Sequence, residues 1–328
     1  MGKTAIMVCG HGSRDTDAMR EFERLTAGIE RLMPGVDVGA GYLEFARPTI
    51  AEALQSLKDK GATDILAVPG MLFAAGHVKN DLPSEINEFA QRNPDIAIRF
   101  GRDLTIDPKL LRAAADRIEA ALDQVDDEIE RSETLLMVIG RGTSDPDANS
   151  NIAKVARMLW EGMGFGWAEI GFSGVAFPRV GPALERAVRL GFKRILVFPY
   201  FLFTGVLVKR IHSETAVVAA AHPEIEFVTV DYLKDHTLVL EALIDRINEI
   251  DAGLNNMNCQ LCKYREQVIG YEGDVGKVQE GHHHHVRGIG TDDHGHSHGG
   301  HHHDHGHGHD HGHHHHNGHG HGHRHDPE

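Results

Sequence analysis

The sequence is poor in cysteine. Only Cys9, Cys259 and Cys262 occur, too few and too unevenly placed for a disulfide framework, which points to a reducing compartment and a cytoplasmic location. Long apolar runs are missing as well. The longest, from Ile195 to Val208, is interrupted by Pro199 and Gly205 and falls short of the roughly 20 residues needed to cross a bilayer. No signal-peptide pattern opens the chain, so no membrane association is expected. Lys and Arg form no block, and the formal net charge is -15 with His neutral, which argues against a nucleic-acid partner. Nucleotide loops are absent too: "GHGSRD" is not G-x-G-x-x-G, and "GYEGDVGKV" has the wrong glycine spacing and no Ser or Thr after Lys277. Neither is there a nucleophile-elbow sequence.

What is present is a regular alternation. Apolar runs at residues 4 to 9, 36 to 43, 64 to 69, 95 to 100, 134 to 140, 168 to 174, 194 to 199 and 225 to 230 read as strands. The segments between them, such as "TDAMREFERLTAGIERLM" and "HTLVLEALIDRINEI", carry apolar residues at three-to-four spacing and read as amphipathic helices. A βαβα series implies α/β domains, each a parallel sheet flanked by helices.

The series is duplicated. "VCGHGSRDTDA" matches "VIGRGTSDPDA", and "EFARPTIAEALQSLKDKGATDILAVPGMLFAAGHVK" matches "AFPRVGPALERAVRLGFKRILVFPYFLFTGVLVK". The expected organisation is one domain over residues 1 to 128, a degenerate copy over 129 to 252, a linker over 253 to 281, and a tail over 282 to 328. Aligned on sequence, His11 stands opposite Arg141, Glu44 opposite Ala176 and His77 opposite Leu207, whereas Pro69/Pro199 and Lys79/Lys209 persist. One set of ionisable side chains survives in the first half alone, which predicts a single active site there.

His11 follows the first predicted strand, Glu44 ends the second and His77 lies after the third. In a doubly wound sheet, ligands bind at the carboxyl ends of neighbouring strands. Two imidazoles and a carboxylate suit a divalent first-row metal, and they suit proton transfer near neutral pH. Metal insertion into a tetrapyrrole needs both, because the ion must exchange water for protein ligands while two pyrrole protons leave.

The ordered motifs "CGHGSRD", "YLEFARPTI" and "VPGMLFAAGHVKND" resemble those of sirohydrochlorin cobaltochelatases of the long, duplicated form, class II chelatases that need no ATP. The resemblance spans roughly residues 1 to 250. It implies a chelatase-like fold of flavodoxin-type repeats, with His11 and His77 holding Co²⁺ and Glu44 acting as ligand or proton acceptor. It implies sirohydrochlorin, with its eight carboxylates, as substrate. Arg14, Arg47, Lys79, Arg141, Arg179 and Lys209, in or beside the matched loops, are the candidate cations for that polyanion. Two alternatives remain open: Fe²⁺ insertion to make siroheme, and a non-catalytic metal-storage or chaperone protein.

The last part of the chain has a different chemistry. Of 27 histidines, only His11, His77, His212, His222 and His236 precede residue 280; the other 22 crowd the tail among glycines and aspartates. This composition cannot build a core, and imidazoles so dense should bind several Co²⁺, Ni²⁺, Zn²⁺ or copper ions with little selectivity. Storage, delivery and detoxification are all consistent with it. "MNCQLC" resembles the M-x-C-x-x-C element that some long cobaltochelatases use for an iron–sulfur cluster. Cys259 and Cys262 supply two of the usual four thiolates, so another ligand type or the pair of a second subunit, hence a homodimer, would complete it. A plain metal-binding or free dithiol pair is the alternative.

Overall fold

The protein is described by a computed structural model covering residues 2–125, 128–254 and 256. The first half contains β1 (Thr4–Gly10), α1 (Thr16–Leu32), β2 (Asp37–Tyr42), α2 (Ile50–Asp59), β3 (Asp64–Pro69), α3 (Leu82–Arg92), β4 (Ala97–Phe100) and α4 (Pro108–Leu122). The second repeats it with β5 (Thr134–Gly140), α5 (Pro146–Met163), β6 (Trp167–Phe172), α6 (Val180–Val188), β7 (Arg194–Pro199), α7 (Val206–Ala221), β8 (Glu226–Thr229) and α8 (Thr237–Asp251). All eight expected strands are present, and the two sheets are parallel throughout, ordered β2-β1-β3-β4 and β6-β5-β7-β8.

The central strands explain themselves. Every residue of β5 and all but Thr4 of β1 are buried, as expected for strands covered by helices on both faces, where an alternating pattern would place polar groups in the core. One face of the first sheet packs Met7, Ile65 and Ala67 against Leu54 and Leu57 of α2 and Leu82 and Ile86 of α3. The matching face of the second packs Leu135, Met137 and Val197 with Leu184 of α6 and Ile211 of α7. The other faces share one core: Ile6, Val8, Leu136 and Val138 join residues of α1, α4, α5 and α8 in a single cluster. Through it α8 returns to the first half, where Arg246 bonds Asp107 at 2.6 Å and Arg102 bonds Glu249 at 2.8 and 2.9 Å.

The backbone sets the correspondence between the copies. Gly10 pairs with Tyr42 and Gly140 with Phe172. The Tyr42 amide donates to the Pro48 carbonyl and the Phe172 amide to the Pro178 carbonyl, both at 2.9 Å. Glu44 therefore stands opposite Gly174, not Ala176, and Arg47 opposite Phe177, not Arg179. The sequence alignment followed the shared Phe and Arg in a loop without periodicity, whereas the loop's register is fixed by ladder bonds at both ends.

Candidate active site

Three adjacent strands, β2, β1 and β3, deliver the three expected residues to one carboxyl edge. The ligand atoms of His11, Glu44 and His77 lie within 4.8 Å of one another, and all three side chains are half-buried. The two imidazoles meet edge to face, with ring centroids 4.7 Å apart at 77°.

Gly12 allows the first two to converge. Its φ of 89° lies in the left-handed region, and a Cβ there would sit 1.8 Å from the Glu44 carbonyl oxygen, so only glycine lets the loops after β1 and β2 approach this closely. The Glu44 amide donates to the His11 carbonyl at 2.8 Å, which ties the two loops together beside their functional side chains.

Each histidine is oriented through Nδ1. That of His11 lies 3.0 Å from the Gly12 carbonyl oxygen; since a carbonyl only accepts, Nδ1 carries the proton and Nε2 keeps its lone pair. That of His77 lies 2.7 Å from Oδ2 of Asp81, which is 1% exposed. A carboxylate behind an imidazole fixes the tautomer and raises the basicity of the far nitrogen, the usual support of a metal-binding histidine. The His11 imidazole is pushed down to about 4 by burial first, then by the neighbouring His77 ring and the Arg141 charge, while the Gly12 hydrogen bond and Glu44 work the other way. It is thus neutral at physiological pH.

His77 and Asp81 belong to a widened turn, His77–Asp81, in which the Leu82 amide reaches back five residues to the His77 carbonyl. Pro83 accounts for the widening: it has no N–H to give the Lys79 carbonyl, and its ring would press on that oxygen in a regular helix. The second half has Ser213 at this place, and α7 runs regularly from Val206. The expected site residues did not include Asp81, although a carboxylate four residues after a histidine is the one sequence signal that could have found it.

The expected cations divide into two groups. Arg14 is exposed and lies over the Phe45 ring at 5.1 Å, Arg179 lies over Phe177 at the same distance, and Arg47 is 3.6 Å from Glu52. Arg141 comes from the second half, close enough for its charge to act on both His11 and Glu44. Lys79 and Lys209 are ion-paired across the two halves. Lys79 is buried and bonds Asp145 at 2.6 Å and Asp147 at 3.0 Å, and Lys209 bonds Asp15 at 2.6 Å. Asp15 and Asp145 are the N-caps of α1 and α5, so each lysine reaches from the turn of one half to a helix start in the other. Cys259, Cys262 and the histidine-rich tail lie outside the described residues. Among the described residues no helix is long and apolar enough to cross a membrane, and Cys9 is a buried thiol on β1 that burial pushes far above its usual range.

A model of the CbiX family matches residues 5–121 and again residues 135–250. The chain belongs to the CbiX family. A sirohydrochlorin cobaltochelatase of Priestia megaterium is 34% identical over 266 residues, covering 81% of this chain and 86% of that one. A sirohydrochlorin ferrochelatase of the same organism is 28% identical over 256 residues, covering 77% and 92%. Among solved structures, SirB from Bacillus subtilis with Fe³⁺ matches with a TM-score of 0.67 at 28% identity, over 78% of this chain and 99% of that one. The double match of the CbiX model agrees with the two four-stranded sheets.

Proposed function

We propose that this chain is a sirohydrochlorin chelatase that inserts Co²⁺, without ATP, on a route to cobalamin. The observation that carries the reading is the convergence of His11, Glu44 and His77 at the carboxyl edge of the first sheet, together with the relatives' activity.

The chemistry follows from the donor set. Imidazole nitrogens of His11 and His77 and the Glu44 carboxylate replace water on the incoming ion and hold it at the cleft. The macrocycle binds with its nitrogens toward the ion, so that the exchange of ligands becomes a reaction between fixed partners. Two N–H bonds break as the ion enters. The protons pass to Glu44 and from there to solvent, and the ring leaves as the neutral-core metal complex. Arg14, Arg47, Arg141 and Arg179 supply positive charge for the peripheral carboxylates in a protein that is acidic overall.

The test is the absorbance change on mixing protein, sirohydrochlorin and Co²⁺ without ATP. Rapid formation of the cobalt product, lost in both His11→Ala and His77→Ala, supports the reading; no acceleration over the protein-free mixture overturns it. Fe²⁺ insertion is the second reading, favoured by the ferrochelatase relative and by a ligand set that discriminates little between the two ions. Competition between Co²⁺ and Fe²⁺ for limiting sirohydrochlorin under anaerobic conditions separates them.

A further inference from the structure

We propose that Lys79 is a positioning residue through which the degenerate second half holds the metal ligand His77 in place. The proposal rests on the chelatase reading for its kinetic test but has a binding test of its own.

Lys79 lies two residues after His77 and two before Asp81, inside the widened turn that carries both. Its ammonium is enclosed between Asp145 and Asp147 at the start of α5. Charge-assisted hydrogen bonds at this degree of burial fix geometry strongly, because an alternative position would strand charge in a low-dielectric site. The turn widened by Pro83 keeps backbone bonds of its own, from Leu82 to the His77 carbonyl and from Lys79 to the Ala75 carbonyl, and the clamp adds a side-chain tie to the opposite half. One face of the turn thereby presents His77 on its Asp81 support, and another is anchored 66 residues away in sequence.

The duplication provides an internal control. Lys209 makes the corresponding bond to Asp15, to one acid and with its side chain exposed, but Leu207 replaces His77 on its turn, and the helix there is regular. A bond that only joined the halves would act on stability, and the loss of neither lysine would reach the metal. If Lys79 positions a ligand, only its loss reaches the metal.

The test measures KM for Co²⁺ and for sirohydrochlorin in the full chain and in Lys79→Met, Lys79→Arg, Asp145→Asn/Asp147→Asn, their combination with Lys79→Met, and Lys209→Met. Loss of Lys79 should raise KM for Co²⁺ by about tenfold or more, the scale of other outer supports of metal ligands, and leave that for sirohydrochlorin within about twofold. The combined variant should be no worse than either parent, since both break one contact, and Lys79→Arg should recover most of the loss. Lys209→Met should leave KM for Co²⁺ unchanged. A rise in KM for sirohydrochlorin alone, or equal effects of the two lysines, overturns the proposal.

Should the chain not accelerate chelation, the visible spectrum of bound Co²⁺ decides instead. Each spectrum is taken as the difference from the same protein carrying His77→Ala, so that ions on the C-terminal histidines cancel. Lys79→Met should abolish or shift that difference, and an unchanged difference overturns the proposal independently of the activity. Thermal melting accompanies each variant, and if Lys79→Met does not fold, the Asp145→Asn/Asp147→Asn protein breaks the same contact while keeping oxygen acceptors for the α5 cap.

Discussion

The turn after β3 and its copy after β7 start from the same backbone and end in different chemistry. Both follow a central strand that ends in proline, and both carry a lysine reaching across to a helix cap of the other half. In the first, Pro83 widens the helix start, and His77 stands on a buried Asp81; in the second, Leu207 and Ile211 occupy those places on a regular helix. The strand order, register and crossing bonds persisted because the shared core depends on them. The site needed only a handful of side chains and one local distortion, and it is these that differ.

The strongest way to break the comparison is to make the halves alike. His11→Arg, which gives the first half the residue of the second, removes a ligand and adds a charge beside Arg141. Chelation should fall by more than the ~100-fold that removing an outer support costs, read as initial rate with Co²⁺ and sirohydrochlorin. The reverse transplant, Arg141→His/Gly174→Glu/Leu207→His, should create no second site, because neither the Asp81 support nor the Pro83 turn comes with it. Saturable Co²⁺ binding at the transplanted residues would show that ligand identity alone is sufficient.

Asp81→Asn sharpens the same point at smaller cost. The amide can still orient the His77 ring but carries no charge to raise the basicity of the far nitrogen. Co²⁺ affinity should drop about 10-fold to 100-fold with little change in melting temperature, read in the His77→Ala difference spectrum.

Backbone strain separates the two glycines of the loops after β1 and β5. Both have positive φ, 89° at Gly12 and 80° at Gly142, but a Cβ on Gly12 would collide with the Glu44 carbonyl at 1.8 Å, whereas on Gly142 the nearest atom is 2.9 Å away. Gly12→Ala should therefore destabilise by about 3 kcal/mol or more and Gly142→Ala by about 1–2 kcal/mol, measured by denaturant unfolding. The first should also impair chelation, because relief of the clash moves Glu44.

Much of this was legible in the sequence, for identifiable reasons. Buried parallel strands write themselves as continuous apolar runs such as "AIMVCG" and "LLMVIG", so all eight were found, whereas the order β2-β1-β3-β4 came from the structure. His11, Glu44 and His77 were legible because strand ends converge in such a sheet. The true partner of Glu44 was not, since a loop's register is set by hydrogen bonds that leave no periodic trace. Nor were the ion pairs of Lys79 and Lys209, because the caps of α1 and α5 that face them come from the other half of the chain.

The last difference between the halves concerns protons. The His11 imidazole titrates at about 4 in the folded protein, below the ~6.5 of an unperturbed histidine. Between those values the unfolded chain binds a proton that the folded chain refuses, so this residue favours unfolding increasingly as pH falls from about 6.5 toward 4. Above that window its contribution to the pH slope vanishes, and within it the slope reaches at most about 1.4 kcal/mol per pH unit. Arg141, at the matching place in the second half, stays charged throughout and adds no slope. His11→Asn should flatten the stability profile between pH 6.5 and 4, measured by urea unfolding without added metal, whereas Arg141→Gln should leave that slope in place with a somewhat higher lower bound, because one of the charges depressing His11 is gone. An identical profile in the chain and in His11→Asn would mean that His11 is solvated like a surface imidazole and is not kept neutral by burial.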